Sequence, residues 1–137
     1  MRAGVWRAVA LAALIGCGDA APKRGPVRGT VSVDGTPLAT GKVRFFALTN
    51  GISAEGEVRD GQYEIPVERG PTAGRYRVEI IAEQKTGRRV PDPDAAPGTM
   101  RDETVNVIPP KYNRNSALQV DYDPAANAAH DFRLLTK

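Results

Sequence analysis

From Val27 onward apolar and polar residues alternate with period two in short runs cut by glycine and proline, and that pattern admits strands and little else. In the first run Val27, Gly29, Val31 and Val33 fall on one face, and Arg28, Thr30 and Ser32 on the other. It ends at Asp34-Gly35-Thr36-Pro37, where Asp-Gly supplies a tight turn and proline withholds a ladder donor. Residues 42–48 repeat the pattern with Val43, Phe45 and Ala47 inward, and residues 52–59 supply a third strand. After a second Asp-Gly turn at Asp60-Gly61, residues 62–67 set Tyr63, Ile65 and Val67 against Gln62, Glu64 and Pro66. The run 75–84 alternates most clearly, with Tyr76, Val78, Ile80 and Ala82 inward and Arg75, Arg77, Glu79 and Glu83 outward. Shorter candidates at 104–108, 117–122 and 131–135 bring the expectation to an all-β fold, a seven- to eight-stranded antiparallel β-sandwich.

Helix has little support. The alanine-rich stretch 125–129 is too short to hold one and reads as a turn. Residues 85–103 (KTGRRVPDPDAAPGTMRDE) are polar and proline-rich and read as a long, mobile loop, with Lys85, Arg88 and Arg89 at a solvated tip.

The amino-terminal residues have a different character. Arg2 and Arg7 precede the apolar, uncharged run 8–16 (AVALAALIG), which has the length of a secretory signal and falls short of a bilayer span of about 20 residues. Its end, Leu14-Ile15-Gly16-Cys17, resembles the lipobox of bacterial lipoproteins. Only a thiol can form the thioether to diacylglycerol, and a small residue before it opens the peptide bond to the signal peptidase. The resemblance implies that residues 1–16 are removed and that Cys17 becomes an acylated amino terminus, its lipid chains held by the membrane. Gly18, rather than aspartate, after the cysteine points to the outer membrane. Residues 17–26, small, charged and proline-containing, read as the lipidated cysteine and a flexible tether, with the folded domain over 27–137.

Charge and cysteine content narrow the function classes. The net charge of +3 reflects 19 basic and 16 acidic residues, and loss of Arg2 and Arg7 with the signal leaves 17 against 16. The basic residues are interleaved with acids and form no stripe, so nucleic acid is not an expected partner. Cys17 is the single cysteine and His130 the single histidine, which rules out an internal disulfide and any all-cysteine zinc site.

Three stretches, Val27-Arg28-Gly29-Thr30-Val31-Ser32-Val33-Asp34-Gly35-Thr36-Pro37-Leu38, Asp60-Gly61-Gln62-Tyr63-Glu64-Ile65 and Ala73-Gly74-Arg75-Tyr76-Arg77-Val78, together resemble the transthyretin-like, carboxypeptidase-regulatory-like β-sandwich found in short bacterial lipoproteins. The carboxyl-terminal part, Ile108-Pro109-Pro110-Lys111-Tyr112-Asn113 through Ser116, Leu118 and Val120 to Asp131-Phe132-Arg133-Leu134, is similar to the same proteins. The resemblance implies a seven-stranded accessory or binding domain and brings no catalytic residue to this chain.

Candidate sites are few. Lys111, Tyr112 and Asn113 after two prolines form the most distinctive cluster, either as a ligand or partner surface or as structure, with Tyr112 plugging the sandwich edge and Asn113 in a left-handed turn. Asp92, Asp94, Asp102 and Glu103 are oxygen donors whose spacing matches no complete calcium loop, so a solvated acidic loop is expected. His130 lacks a sequence partner for acid–base work, and Ser53 and Ser116 sit in no nucleophile-elbow setting. Trp6 leaves with the signal. The reading is of a non-enzymatic module without cofactor or metal, anchored to the cell envelope by lipid on Cys17. Its expected partner is an envelope protein, with polysaccharide or another envelope polymer as the alternative.

Overall fold

The computed structural model describes residues 18, 20–126 and 129–137. The signal segment expected over 1–16 and the lipidation expected at Cys17 therefore lie outside the described residues. Ten strands run β1 (Val27–Val33), β2 (Thr36–Pro37), β3 (Thr40–Ala47), β4 (Ala54–Arg59), β5 (Gln62–Ile65), β6 (Gly74–Ile81), β7 (Glu83–Pro91), β8 (Met100–Asn106), β9 (Gln119–Tyr122) and β10 (Phe132–Leu134). Eight of them form one ladder in the order β10-β1-β5-β4-β3-β6-β9, with β2 paired to β1. All its pairs are antiparallel except β1 with β10.

The expected all-β, seven- to eight-stranded antiparallel architecture is present, and the structure adds how its layers are made. The ladder curls into a half-barrel, so that its ends face one another across a shared core. Phe45 of β3 and Phe132 of β10 lie 6.3 Å apart, ring to ring, and Tyr63 of β5 stacks on Phe132 at the same spacing. Around these rings pack Val27, Val31, Val43, Val58, Ile65, Tyr76, Val78, Ile80 and Leu134, all essentially inaccessible to water. The inward residues of the alternating runs account for most of this core.

Both Asp-Gly turns are two-residue hairpins with left-handed backbone at each centre, φ 49° and 82° at Asp34 and Gly35, and 50° and 77° at Asp60 and Gly61. That geometry matches the twist of the strands it joins. Gly29 serves a different purpose. A β-carbon there would lie 1.8 Å from the carbonyl oxygen of His130, so only glycine lets the segment before β10 cross over β1. His130 N–H donates to Arg28 O at 2.9 Å, and the Tyr63 hydroxyl, opposite Gly29 in the ladder, donates to His130 O at 2.6 Å.

Two expectations are corrected. The stretch 85–103 is no loop: most of it lies in β7 and β8, which pair as a separate antiparallel hairpin, and residues 92–99 alone form its tip. Sequence alternation missed it because both strands are exposed on both faces, so no apolar side marks them. The tether expected over 17–26 is docked from Arg24 onward. Arg24 bridges Thr72 and donates to Gly70 O at 3.1 Å, Gly25 N–H donates to Pro71 O at 3.0 Å, and the Tyr122 hydroxyl donates to Pro26 O at 2.9 Å.

Candidate functional site

The strand directions divide the curled sheet into two poles. At one, the docked Arg24 and Gly25 meet loop 66–73, and Tyr76 Oη ties that loop to loop 48–53, donating to Thr72 O at 2.9 Å or to Ile52 O at 3.0 Å. β6 begins there at Gly74 and runs to Ile81 at the other pole, where the β7–β8 arm leaves the sheet. The arm's base is held by Val107 N–H to Ala82 O at 2.9 Å and Ala82 N–H to Asn106 Oδ1 at 3.1 Å. The Asp34-Gly35 turn and the carboxyl-terminal residues lie at this second, distal pole, where Thr136 N–H and Oγ1 donate to the Asp34 carboxylate at 3.0 and 2.5 Å. Those bonds hold the Asp34 carboxyl below its ordinary range.

Lys111, Tyr112 and Asn113 also sit at the distal pole, although they do not share one open face. Asn113 is 7% exposed, and its side-chain N–H groups point at Ile108 O (3.0 Å) and Pro109 O (3.1 Å), while its Oδ1 accepts from Arg114 N–H at 2.9 Å. This is structural use of an amide. The left-handed turn expected at Asn113 is absent, its φ being −130°, because Asn113 closes the single helical turn Pro110–Tyr112, its N–H donating to Pro110 O at 3.2 Å. Tyr112 packs half-buried against the core with its hydroxyl accepting from Leu135 N–H at 3.0 Å, and the exposed Lys111 ammonium lies 5.1 Å from the Tyr112 ring centre.

The arm is the most polar element. Lys85 pairs with Asp102 at 2.6 Å, and Arg88 with Glu103 at 2.7 Å, where Thr86 Oγ1 also donates at 2.6 Å. The Lys85 and Arg88 cations, assigned by sequence to a loop tip, therefore lie along β7 and neutralise the acids of β8. Both carboxyls are lowered, each chiefly by its side-chain hydrogen bonds, from Lys85 to Asp102 and from Thr86 then Arg88 to Glu103. Between Lys85 and Arg89 the register shifts by a bulge, with Gly87 at φ 85°. β8 by contrast runs seven residues without glycine or proline.

The remaining candidates have local structural partners. Ser53 Oγ accepts from Ala47 N–H at 3.0 Å, and Ser116 Oγ donates to Val78 O while accepting from Leu118 N–H. The His130 ring lies against Phe45 and Tyr122, with centroids 6.5 and 6.1 Å away. Tyr63 and Tyr122 have phenols pushed up by burial. A concavity of about 530 Å³ is an open groove with Arg28, Glu57, Arg59 and Glu64 on its walls. Among the described residues no three His, Cys, Asp or Glu side chains converge to hold a metal ion, and no helix is long and apolar enough to cross a membrane.

Sequence reasoning missed the arm and the docking of Arg24 to Pro26. The opposed charges of the basic run 85–89 and the acidic pair Asp102-Glu103 were the available signal for the arm, since basic residues facing acids across a turn are a cross-strand ladder pattern. No family model matches the chain, and no curated protein or solved structure matches it. The chain is an all-β protein built from antiparallel sheets.

Proposed function

We propose that the protein is a lipid-anchored, non-catalytic β-sandwich module of the bacterial cell envelope, transthyretin-like in type, whose role is to hold a protein-interaction surface at a fixed place near the membrane. The observation that carries this reading is the polarity of the domain. The chain following Cys17 docks at one pole through Arg24 and Gly25, and the exposed arm leaves from the other. The lipobox-like Leu14-Ile15-Gly16-Cys17 supports the anchor, and outer-membrane delivery follows from Gly18 beside it. The charged arm, with Lys111 and Tyr112 at the same pole, supports the interaction role. Binding of an envelope polymer is the less favoured reading, because the Asn113 amide that a sugar would need is engaged by the chain's own carbonyls.

Cross-linking in intact cells followed by mass spectrometry tests the proposal. A recurrent protein partner captured through arm residues or Lys111, and lost when residues 84–105 are replaced by a short glycine turn, is the expected result. Capture of polysaccharide without any protein partner would replace the interaction reading with the polymer-binding one.

A further inference from the structure

We infer that the pole where the chain enters the fold is the face that the domain lays against the lipid surface, with the β7–β8 arm held on the far side. This rests on the reading of Cys17 as the acylated anchor. Residues 18–23 are all that separates Cys17 from the docked Arg24. Fully extended, the seven steps from Cys17 to Arg24 reach about 25 Å at roughly 3.6 Å per residue. As a flexible chain they average about 15 Å. A domain of roughly 110 residues, with a radius of gyration near 13 Å, is about 34 Å across. The leash is shorter than the domain, so the near pole stays within reach of the headgroups while the arm cannot easily be turned toward them.

That pole presents what a lipid surface accepts. Leu48 is 46% and Val67 44% exposed, on the two loops tied together through Tyr76. Lys23 and Arg69 are exposed beside them, and Arg24 is half-buried, with Glu68 and Asp123 as the neighbouring acids. With charge so nearly balanced, the contact depends on the short leash and the two apolar side chains more than on anionic lipid. The face is also stiff, because Thr72, Tyr76 and Arg24 bond its loops to one another. The occupant is the headgroup layer of the same membrane that holds the acyl chains of Cys17.

The test uses the full acylated protein in phosphatidylcholine–phosphatidylglycerol vesicles carrying a headgroup-attached quencher. A fluorophore is placed at Val67→Cys in one preparation and at Pro93→Cys, on the arm tip, in another. Both positions are exposed. Flotation with the vesicles reads the anchor, and quenching reads the face. The expected result is co-flotation of both preparations with several-fold stronger quenching at position 67. Co-flotation with equal or reversed quenching would overturn the proposed face while leaving the anchor standing. Failure of the acylated fraction to float would remove the anchor, and the face with it.

Discussion

At Gly29 the fold leaves no room for a β-carbon, since the His130 carbonyl oxygen would stand 1.8 Å and its carbon 2.7 Å away. The obstacle is backbone, which cannot rotate aside. Gly29→Ala must therefore separate β1 from the segment that leads into β10, and we expect a loss of at least about 2 kcal/mol in urea unfolding. An unchanged midpoint would show that the crossing is looser than described. Asn113 decides between its two sequence readings in the same way. Asn113→Ala takes the amide from the buried Ile108 carbonyl, while Pro109 O keeps the Tyr112 N–H, and should cost about 1–3 kcal/mol. A variant of undiminished stability that lost partner capture would instead return Asn113 to the interaction surface. Sequence singled out Asn113 but could not reveal its burial, because an amide that bonds local carbonyls and one that bonds a ligand are the same residue in the same spacing.

At the scale of elements, the strands that sequence made legible are those with one wet face. In β4 and β5 buried and exposed positions alternate without exception, and both lie close to where periodicity put them. The arm obeys no such rule, because with neither face buried it carries charges where a core strand carries valines. Isolated two-stranded ribbons are marginal in water, so the ion pairs along the arm carry more of its order than ion pairs do in the sheet. Its pH response follows in sign. Asp102 and Glu103 have folded-state carboxyls below their ordinary values, so their contribution is present above the ordinary carboxylate range and is lost as pH falls through the lowered values. Acidification should therefore erase cross-strand NMR contacts between Lys85 and Thr104 while those between Val43 and Ile80 in the core persist. Simultaneous loss of both sets would mean that arm and core melt as one unit. Replacing residues 84–105 by a short glycine turn should leave core stability within about 0.5 kcal/mol of the parent, as expected for surface changes away from buried features.

For the whole molecule, the sequence carried the fold class through its period-two runs and its two Asp-Gly hairpins, and the proposed anchor rests on Leu14-Ile15-Gly16-Cys17. It did not carry the arrangement of the poles. Which end of the sheet receives the chain depends on long-range bonds such as Gly25 to Pro71 and Tyr122 to Pro26, and these join residues too far apart for any local pattern to register. Everything proposed for this protein's role depends on Cys17 tying the domain to a membrane. Intact-mass and amino-terminal analysis of the protein purified from membranes of the cells that make it tests this most directly. The expected product is a chain that begins at Cys17 and carries the added mass of a diacylglycerol thioether and a further acyl group. A chain that retains residues 1–16, or one recovered from the soluble fraction with a free thiol at Cys17, would contradict it.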